Sequence, residues 1–471
     1  MLFNTIEFAL FLPIVLILYF SIPHRWRWCI LLAASYYFYM CWKVEYIFLI
    51  LFSTLIDYFM AIQIEKNPNK KWKFLLLLVS LVTNFGLLFY FKYYNFVSTS
   101  LNELFAYIKM DTEIPMMKLL LPVGISFYTF QTLSYTIDVF FGKQKAEKHL
   151  GYFALYVTYF PQLVAGPIER FSTLTPQLKE KHTFTYENLK KGFQMILYGL
   201  FIKMVIADNL SGFVDQIYNN PTQYGSKDLI TGIFLYSFQI YSDFFGYSTI
   251  AIGSSILFGV HLMDNFKTPY LAKNIAEFWQ RWHISLSTWF RDYVYFPMGG
   301  NKVAKGRWFL NIMVVFVASG IWHGANWTFL IWGFLYGLIY ILEKLFNDLF
   351  HIHNKWKPFT IGHLLLALKT FVLVTLIWIF FRSQSFHDAM VMFQSIFSNN
   401  SSPKASLIIP AFVWIFLGLF ILSDFLFYNK RFDIQVNKMP FWGRWVVYAV
   451  LIFSIIVFSG VDNFPFIYFQ F

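Results

Sequence analysis

The sequence predicts an all-α polytopic membrane protein, and three observations carry that prediction. Of 471 residues, 58% are hydrophobic and only 13% charged, about half the charged share usual in a soluble domain. The apolar residues come in long runs, many near the roughly 20 residues that cross a bilayer as a helix. The basic residues fall mostly in short connections between those runs. A soluble chain would have to hide its 60 phenylalanines in cores that stop growing at a few hundred residues, a demand that lipid removes. A soluble enzyme, a secreted disulfide scaffold and a disordered chain are excluded.

In chain order the runs lie near 6–22, 28–42, 46–64, 74–91, 118–141, 151–166, 192–208, 229–260, 308–342, 362–381, 409–428 and 445–460. The 229–260 and 308–342 runs exceed one straight span. The expected count is therefore 11 to 13 membrane segments, some broken or re-entrant, in one integral-membrane domain over residues 1–471. The first run has no basic segment before it and no small-residue cleavage site after it, so it reads as a retained helix. His24-Arg25-Trp26-Arg27 follows the first run and a lysine-rich stretch, 65–73, follows the third, whereas the connection between them carries only Lys43 and Glu45. Basic connections after odd-numbered spans place the N-terminus on the extracytoplasmic side. The formal charge of +12 records this topology, and no nucleic-acid module accompanies it. Cys29 and Cys41 are the two cysteines, too few for a disulfide framework and without a CxxC metal pattern.

Two stretches differ from ordinary spans. Residues 167–191 are polar and charged and read as a loop. Residues 271–300 read as an amphipathic helix at the interface or dipping into the bundle. Ile275, Trp279, Trp282, Leu286 and Trp289 recur there at helical spacing, while Lys273, Glu277, Arg281, Arg291 and Asp292 exclude a simple span.

The chemistry-bearing residues are few. His323 sits near the centre of a charge-free run, within Ala318-Ser-Gly-Ile-Trp-His-Gly-Ala-Asn-Trp-Thr328, where small residues let backbone or ligand approach an imidazole closely. A helix broken at 320–326 would leave pieces of roughly 15 residues, short for spanning, with His323 deep in the protein. A helix-packing histidine is the bland alternative, but intramembrane ionisable residues are costly and usually functional. His283, in Phe278-Trp-Gln-Arg-Trp-His-Ile-Ser-Leu-Ser287, would by itself read as structural and gains weight only beside His323. Asp57, Asp138, Asp208, Asp243 and Asp424 lie inside runs, each expected to find a hydroxyl, amide or basic partner. Asp243 is the one expected nearest the site. His351-Ile-His353 lacks carboxylate or thiolate support and reads as solvated, so no metal site is expected. No P-loop, dinucleotide fingerprint, GxSxG or HExxH appears.

Phe278 to Pro297 (FWQRWHISLSTWFRDYVYFP), followed by Gly320-Ile-Trp-His-Gly-Ala-Asn-Trp327, resembles the membrane-bound O-acyltransferase family. More narrowly it is similar to the bacterial branch that O-acetylates extracytoplasmic polysaccharides such as alginate and peptidoglycan, with teichoic-acid D-alanyl transfer proteins as cousins. Pro122-Val-Gly-Ile-Ser-Phe-Tyr128, Pro161-Gln-Leu-Val-Ala-Gly-Pro-Ile-Glu-Arg170, Tyr241-Ser-Asp-Phe-Phe-Gly-Tyr-Ser248 and Phe464-Pro-Phe-Ile-Tyr-Phe-Gln-Phe471 extend the likeness over most of the chain. The resemblance implies a ring of tilted helices around a thin central region reachable from both sides, in a bacterial inner membrane. It implies a catalytic core over about 120–345, with His323 catalytic and His283 the second family histidine. Asn326, Trp322, Trp282, Arg281, Ser285, Asp243 and Gln239 become candidates to line the channel. It also implies a cytoplasmic donor, with acetyl-CoA as co-substrate and no bound cofactor, and a polysaccharide acceptor outside.

Elementary chemistry agrees with an O-acyltransferase. Transfer from a thioester to a hydroxyl needs a base near neutral pH, and imidazole suits that role. Asn326, Trp322 or a backbone N–H at the Gly324 break could stabilise the oxyanion. The aromatic tail, 464–471, is similar to tails of this branch that carry an acyl-accepting tyrosine, which makes Tyr468 a candidate relay. An interface anchor is the alternative. No esterase-like domain is present in the sequence, so an extracytoplasmic SGNH-type O-acetyltransferase partner is expected. The competing readings are D-alanyl or longer-chain transfer, a scaffold that recruits an exported enzyme, and a proton-coupled transporter or flippase. The last predicts inverted repeats, which the sequence does not show.

Overall fold

The computed structural model describes residues 1–164, 166–351, 356–398, 405–460 and 466–469. Among them every regular element is helical. They group into two compact units: Met1–Phe193 with Ala251–Met263, and Gln194–Ile250 with Asp264–Phe471. Among the described residues, six helical segments are long and apolar enough to cross a membrane: Tyr46–Lys66, Lys70–Tyr107, Tyr186–Asn219, Trp327–Leu349, Ile361–Arg382 and Phe441–Phe458. Ile6–Ser21 and Ala411–Leu426 are apolar but shorter. Apart from the 229–260 run, the remaining runs of the sequence become shorter or broken helices.

In the first unit, helix starts follow local chemistry. Thr5 accepts a bond from the Phe8 N–H at the head of Ile6–Ser21, and Asn69 accepts from the Lys71 N–H at the head of Lys70–Leu88. Such side-chain oxygens satisfy amides that have no intrahelical acceptor. The buried Asp57 finds its expected partners, taking bonds from the Ser80 hydroxyl at 2.5 Å and the Asn84 amide at 3.0 Å. The stretch expected to be a plain loop contains a helix, Phe171–Lys179. Its Phe171, Leu174, Thr175 and Leu178 are buried, a one-sided stripe concealed by polar neighbours, and Lys179 pairs with Glu147.

The 229–260 run, too long for one straight span, is nevertheless one uninterrupted helix, Ser226–Leu257, of 32 residues. Its polar residues do not break it because their hydroxyls bond back one turn: Ser237 to the Ile233 carbonyl, Ser242 to Phe238 and Thr249 to Phe245. That back-bonding keeps polar groups satisfied inside apolar surroundings.

In the second unit the 308–342 run does break. Helix Lys305–His323 ends at the histidine, and Trp327–Leu349 begins after Asn326. The pieces have 19 and 23 residues, longer than expected because each continues into its polar flank. The two helices form a hairpin whose backbones touch. A Cβ on Gly320 would lie 2.2 Å from the Phe329 carbonyl oxygen, and one on Gly333 would lie 2.3 Å from that of Phe316. Small residues permit such close crossings between membrane helices.

The 271–300 segment departs from expectation. It is not one amphipathic helix but two seven-residue helices, Ile275–Arg281 and Ile284–Phe290, followed by a π-turn, Arg291–Tyr295. The anticipated stripe still points inward, with Ile275, Trp282, Leu286 and Trp289 buried. The break arises because Asn265 captures the ladder. Its backbone oxygen accepts the Ile284 N–H at 3.0 Å, and its side chain accepts the Ser285 N–H at 3.3 Å.

Candidate active site

His323 occupies the last position of its helix and is 3% exposed. Its ring is enclosed by Trp332, Phe381 and Tyr468, at centroid distances of 5.0, 5.3 and 5.5 Å. The adjoining Trp322 lies edge-on at 4.9 Å. The helix that follows the break is started by Asn326. Its side-chain Oδ1 accepts the Thr328 N–H at 3.0 Å, and its side-chain amide donates to the Gln384 carbonyl at 2.6 Å. Asn326 is thus a helix cap and a tie to the chain beyond Ile361–Arg382, with both polar ends engaged.

His283 is fully buried and sits at the head of Ile284–Phe290 in a left-handed conformation, φ 42° and ψ 55°. Few residues other than glycine hold that conformation, and those that do cluster at functional sites. Its ring meets Phe244 edge-on at 4.6 Å and lies 6.0 Å from Trp322 and 6.3 Å from Tyr468. His283 falls outside the spanning segments, and burial pushes its imidazole down to about 3. It therefore stays neutral at physiological pH.

Tyr468, like Trp322, packs against both histidines. Phe466 is buried between Phe244 and Tyr247, at 5.3 and 4.9 Å, and Tyr468 covers Phe244 at 4.8 Å. The Ile467 N–H donates to Asp243 Oδ2 at 2.6 Å. Asp243 also pairs through Oδ1 with Lys203 at 2.6 Å, and Lys203 pairs with Asp208 at 2.7 Å. The sequence points to both aspartates as intramembrane carboxylates in need of partners; the partner that the structure supplies to both is Lys203. The available signal was a lone lysine inside the apolar 192–208 run, which cannot be buried there without carboxylates.

The other predicted residues divide. Trp322 shares the site with the two histidines. Gln239 is buried one turn before Asp243, and its side-chain oxygen meets no partner among the described residues. Trp282 is a buried prop, packed on Phe266 at 5.1 Å and Trp378 at 5.2 Å. Ser285 is held by Asn265. Arg281 belongs to a clamp elsewhere, bonded to Glu277, the Lys267 carbonyl, Tyr428 and Asn429. Asn265 was not anticipated, since nothing local marks an asparagine that acts 20 residues away.

A cavity of about 400 Å³ lies along the same hairpin. Ile312, Phe316 and Ser319 line it from the helix that ends in His323, and Ser287, Thr288 and Arg291 from the segment after His283. Ser319 is one turn before His323 on the same helix face, but neither histidine lines the cavity itself.

The model of the membrane-bound O-acyltransferase family matches residues 143–382. That interval contains both histidines and just over half of the chain. The chain belongs to the membrane-bound O-acyltransferase family. Across 98% of its length it is 35% identical to a Pseudomonas putida protein named "probable alginate O-acetylase", covering 98% of that protein too. It is 34% identical to the peptidoglycan O-acetyltransferase of Helicobacter pylori, over 85% of this chain and 80% of the other. Against the teichoic acid D-alanyltransferase of Bacillus subtilis it is 29% identical, over 56% and 69%. As a membrane-bound O-acyltransferase, the protein is a multi-pass membrane enzyme that transfers acyl groups.

Proposed function

We propose that this chain is the membrane subunit of a polysaccharide O-acetylation system in a bacterial inner membrane, with its N-terminus extracytoplasmic. It takes acetyl from cytoplasmic acetyl-CoA and presents it outside, with His323 as general base and Tyr468 as the first acceptor. The observation that carries this reading is the Tyr468 ring, 5.5 Å from that of His323 in a buried site. His323 removes the phenol proton as the oxygen attacks the thioester carbonyl. The carbon–sulfur bond breaks, and the CoA thiolate leaves with the proton from the imidazolium. The aryl ester has a better leaving group than an alkyl ester, so it passes acetyl onward to a nucleophile on an SGNH-type extracytoplasmic partner. That partner delivers it to a cell-wall or exported polysaccharide, as the names of the relatives suggest. The Asn326 amide is committed to the Gln384 carbonyl and the Gly324 N–H to the Gly320 carbonyl at 3.4 Å, so an oxyanion would have to displace those bonds to use either donor.

The test is CoA release from acetyl-CoA by reconstituted protein, with the tail peptide weighed by mass spectrometry. Wild type releases CoA and gains one acetyl on Tyr468. His323→Ala loses release by a factor of roughly 100 to 10,000, the usual contribution of a positioned base. Tyr468→Phe binds donor but carries no acetyl. Acetylation of the polysaccharide in cells that persists with Tyr468→Phe would refute the relay. Release that persists with His323→Ala would refute the base.

A further inference from the structure

We propose that the buried Lys203–Asp243 pair is a latch for the tail, with Asp243 a positioning residue that sets the register in which Tyr468 meets His323. The proposal deepens the function proposed above and rests on it for its catalytic consequence. Asp243 is 3% exposed and Lys203 1%. Asp243 uses one carboxylate oxygen for the lysine and the other for the backbone N–H of Ile467, which lies 224 residues away in sequence. A bond from an amide to a carboxylate is charge-assisted and stronger than a neutral one. It grips the main chain, so it fixes position whatever side chain residue 467 carries.

Three features make this more than a structural ion pair. First, Lys203 lies in a π-turn, Phe201–Ala207, in which the Asp208 N–H bonds to the Lys203 carbonyl five residues back. In an α-helix, residues five apart point in different directions. The π-turn brings Lys203 and Asp208 onto one face, so both carboxylates reach the ammonium, and such bulges recur at functional sites. Second, the helix that carries Asp243 also carries the slot for the tail. Phe244 and Tyr247 hold Phe466, and Phe244 supports Tyr468. A slip of one residue would take Phe466 out of that slot and Tyr468 away from His323. Third, an apolar trio could fill the same space at equal or better stability. Buried ion pairs of this kind are best attested where they specify register.

The experiment compares wild type, Asp243→Ala, Asp243→Asn and Lys203→Met in reconstituted full-length protein. Hydrogen exchange of the peptide containing Ile467 reads tail seating without any reaction. The Ile467 amide exchanges slowly in wild type and at least tenfold faster in Asp243→Ala and Lys203→Met. Asp243→Asn keeps an acceptor oxygen and falls between. Acetyl transfer to Tyr468 from acetyl-CoA reads the consequence. It falls on the order of 100-fold in turnover for Asp243→Ala, as expected for a misplaced reactant, while KM for the donor is unchanged. Unchanged exchange at Ile467 in both Asp243 variants overturns the latch. So does faster exchange with Tyr468 still acetylated at the wild-type rate. If exchange responds but wild-type Tyr468 gains no acetyl, the latch stands and the relay fails. If Asp243→Ala does not fold, Asp243→Asn decides, since it is isosteric and leaves Lys203 its bond to Asp208.

Discussion

A single methyl group at Gly333 should disable the enzyme from a distance. The Cβ of an alanine there would lie 2.3 Å from the Phe316 carbonyl oxygen, 3.0 Å from its carbon and 3.2 Å from the Val317 Cα. Ordinary contact begins near 3.4 Å. All three atoms are main chain in a helix, so no rotamer can yield, and the hairpin must open by about 1 Å. Phe316 is seven residues from His323, about 10 Å along the same rigid helix, so the imidazole moves with it. A displacement of about 1 Å at a reacting group costs on the order of 100-fold in rate, close to 2.7 kcal/mol of barrier. Overpacking should also lower stability by about 1–3 kcal/mol. The assay is CoA release in vesicles alongside a thermal midpoint, with Gly418→Ala as control. A Cβ on Gly418 meets nothing within 4 Å, so that change should be neutral or slightly stabilising. Gly333→Ala with turnover within twofold of wild type and an unchanged midpoint would show that the hairpin does not position His323 as argued.

Two further outcomes follow from the same geometry. Asn326→Ala removes the cap of Trp327–Leu349 and the tie to Gln384, so it should lower stability by about 1 kcal/mol or more and reduce turnover. Asn326→Asp keeps the cap acceptor and should recover part of the midpoint. The pH dependence of stability carries a third expectation of definite sign. The His283 imidazole is pushed down to about 3 in the fold, against about 6.5 in an unfolded chain, so the unfolded state binds the extra proton. Stability should therefore fall as pH drops below about 6.5, by up to about 1.4 kcal/mol per pH unit. His283→Asn should flatten that slope in unfolding titrations, and an unchanged slope would refute the assignment.

The site's anchor was legible in the sequence because its cause is local. A histidine flanked by Gly320, Gly324 and Asn326 in a charge-free run announces a helix end, and the chain breaks there. The aspartates were legible too, since a carboxylate in an apolar run must find a partner: Asp57 met Ser80, Asp208 and Asp243 met Lys203, and the Tyr241 hydroxyl bonds Asp424 at 3.2 Å. The break at His283 was not legible. Periodicity continues through it, and the atoms that cause it belong to Asn265 in an unremarkable loop. Lys203 escaped for a related reason. Spacing on an α-helix separates it from Asp208, and only the π-turn unites them. The placement of Tyr468 rested on resemblance alone, because its seat is made by a helix more than 200 residues earlier.

The left-handed backbone at His283 has a consequence for how this position tolerates change. Two requirements pull against each other at one residue: main-chain geometry favours glycine or asparagine, whereas the packed rings of Phe244, Trp322 and Tyr468 surround an imidazole. A substitution series at 283 will therefore rank along two axes rather than one. Glycine and asparagine suit the main chain, and β-branched residues fail before chemistry is reached. Alanine, the customary replacement, confounds the two, because it removes the ring while retaining the strain. At this joint, the informative replacement is the one that lets the chain keep its bend.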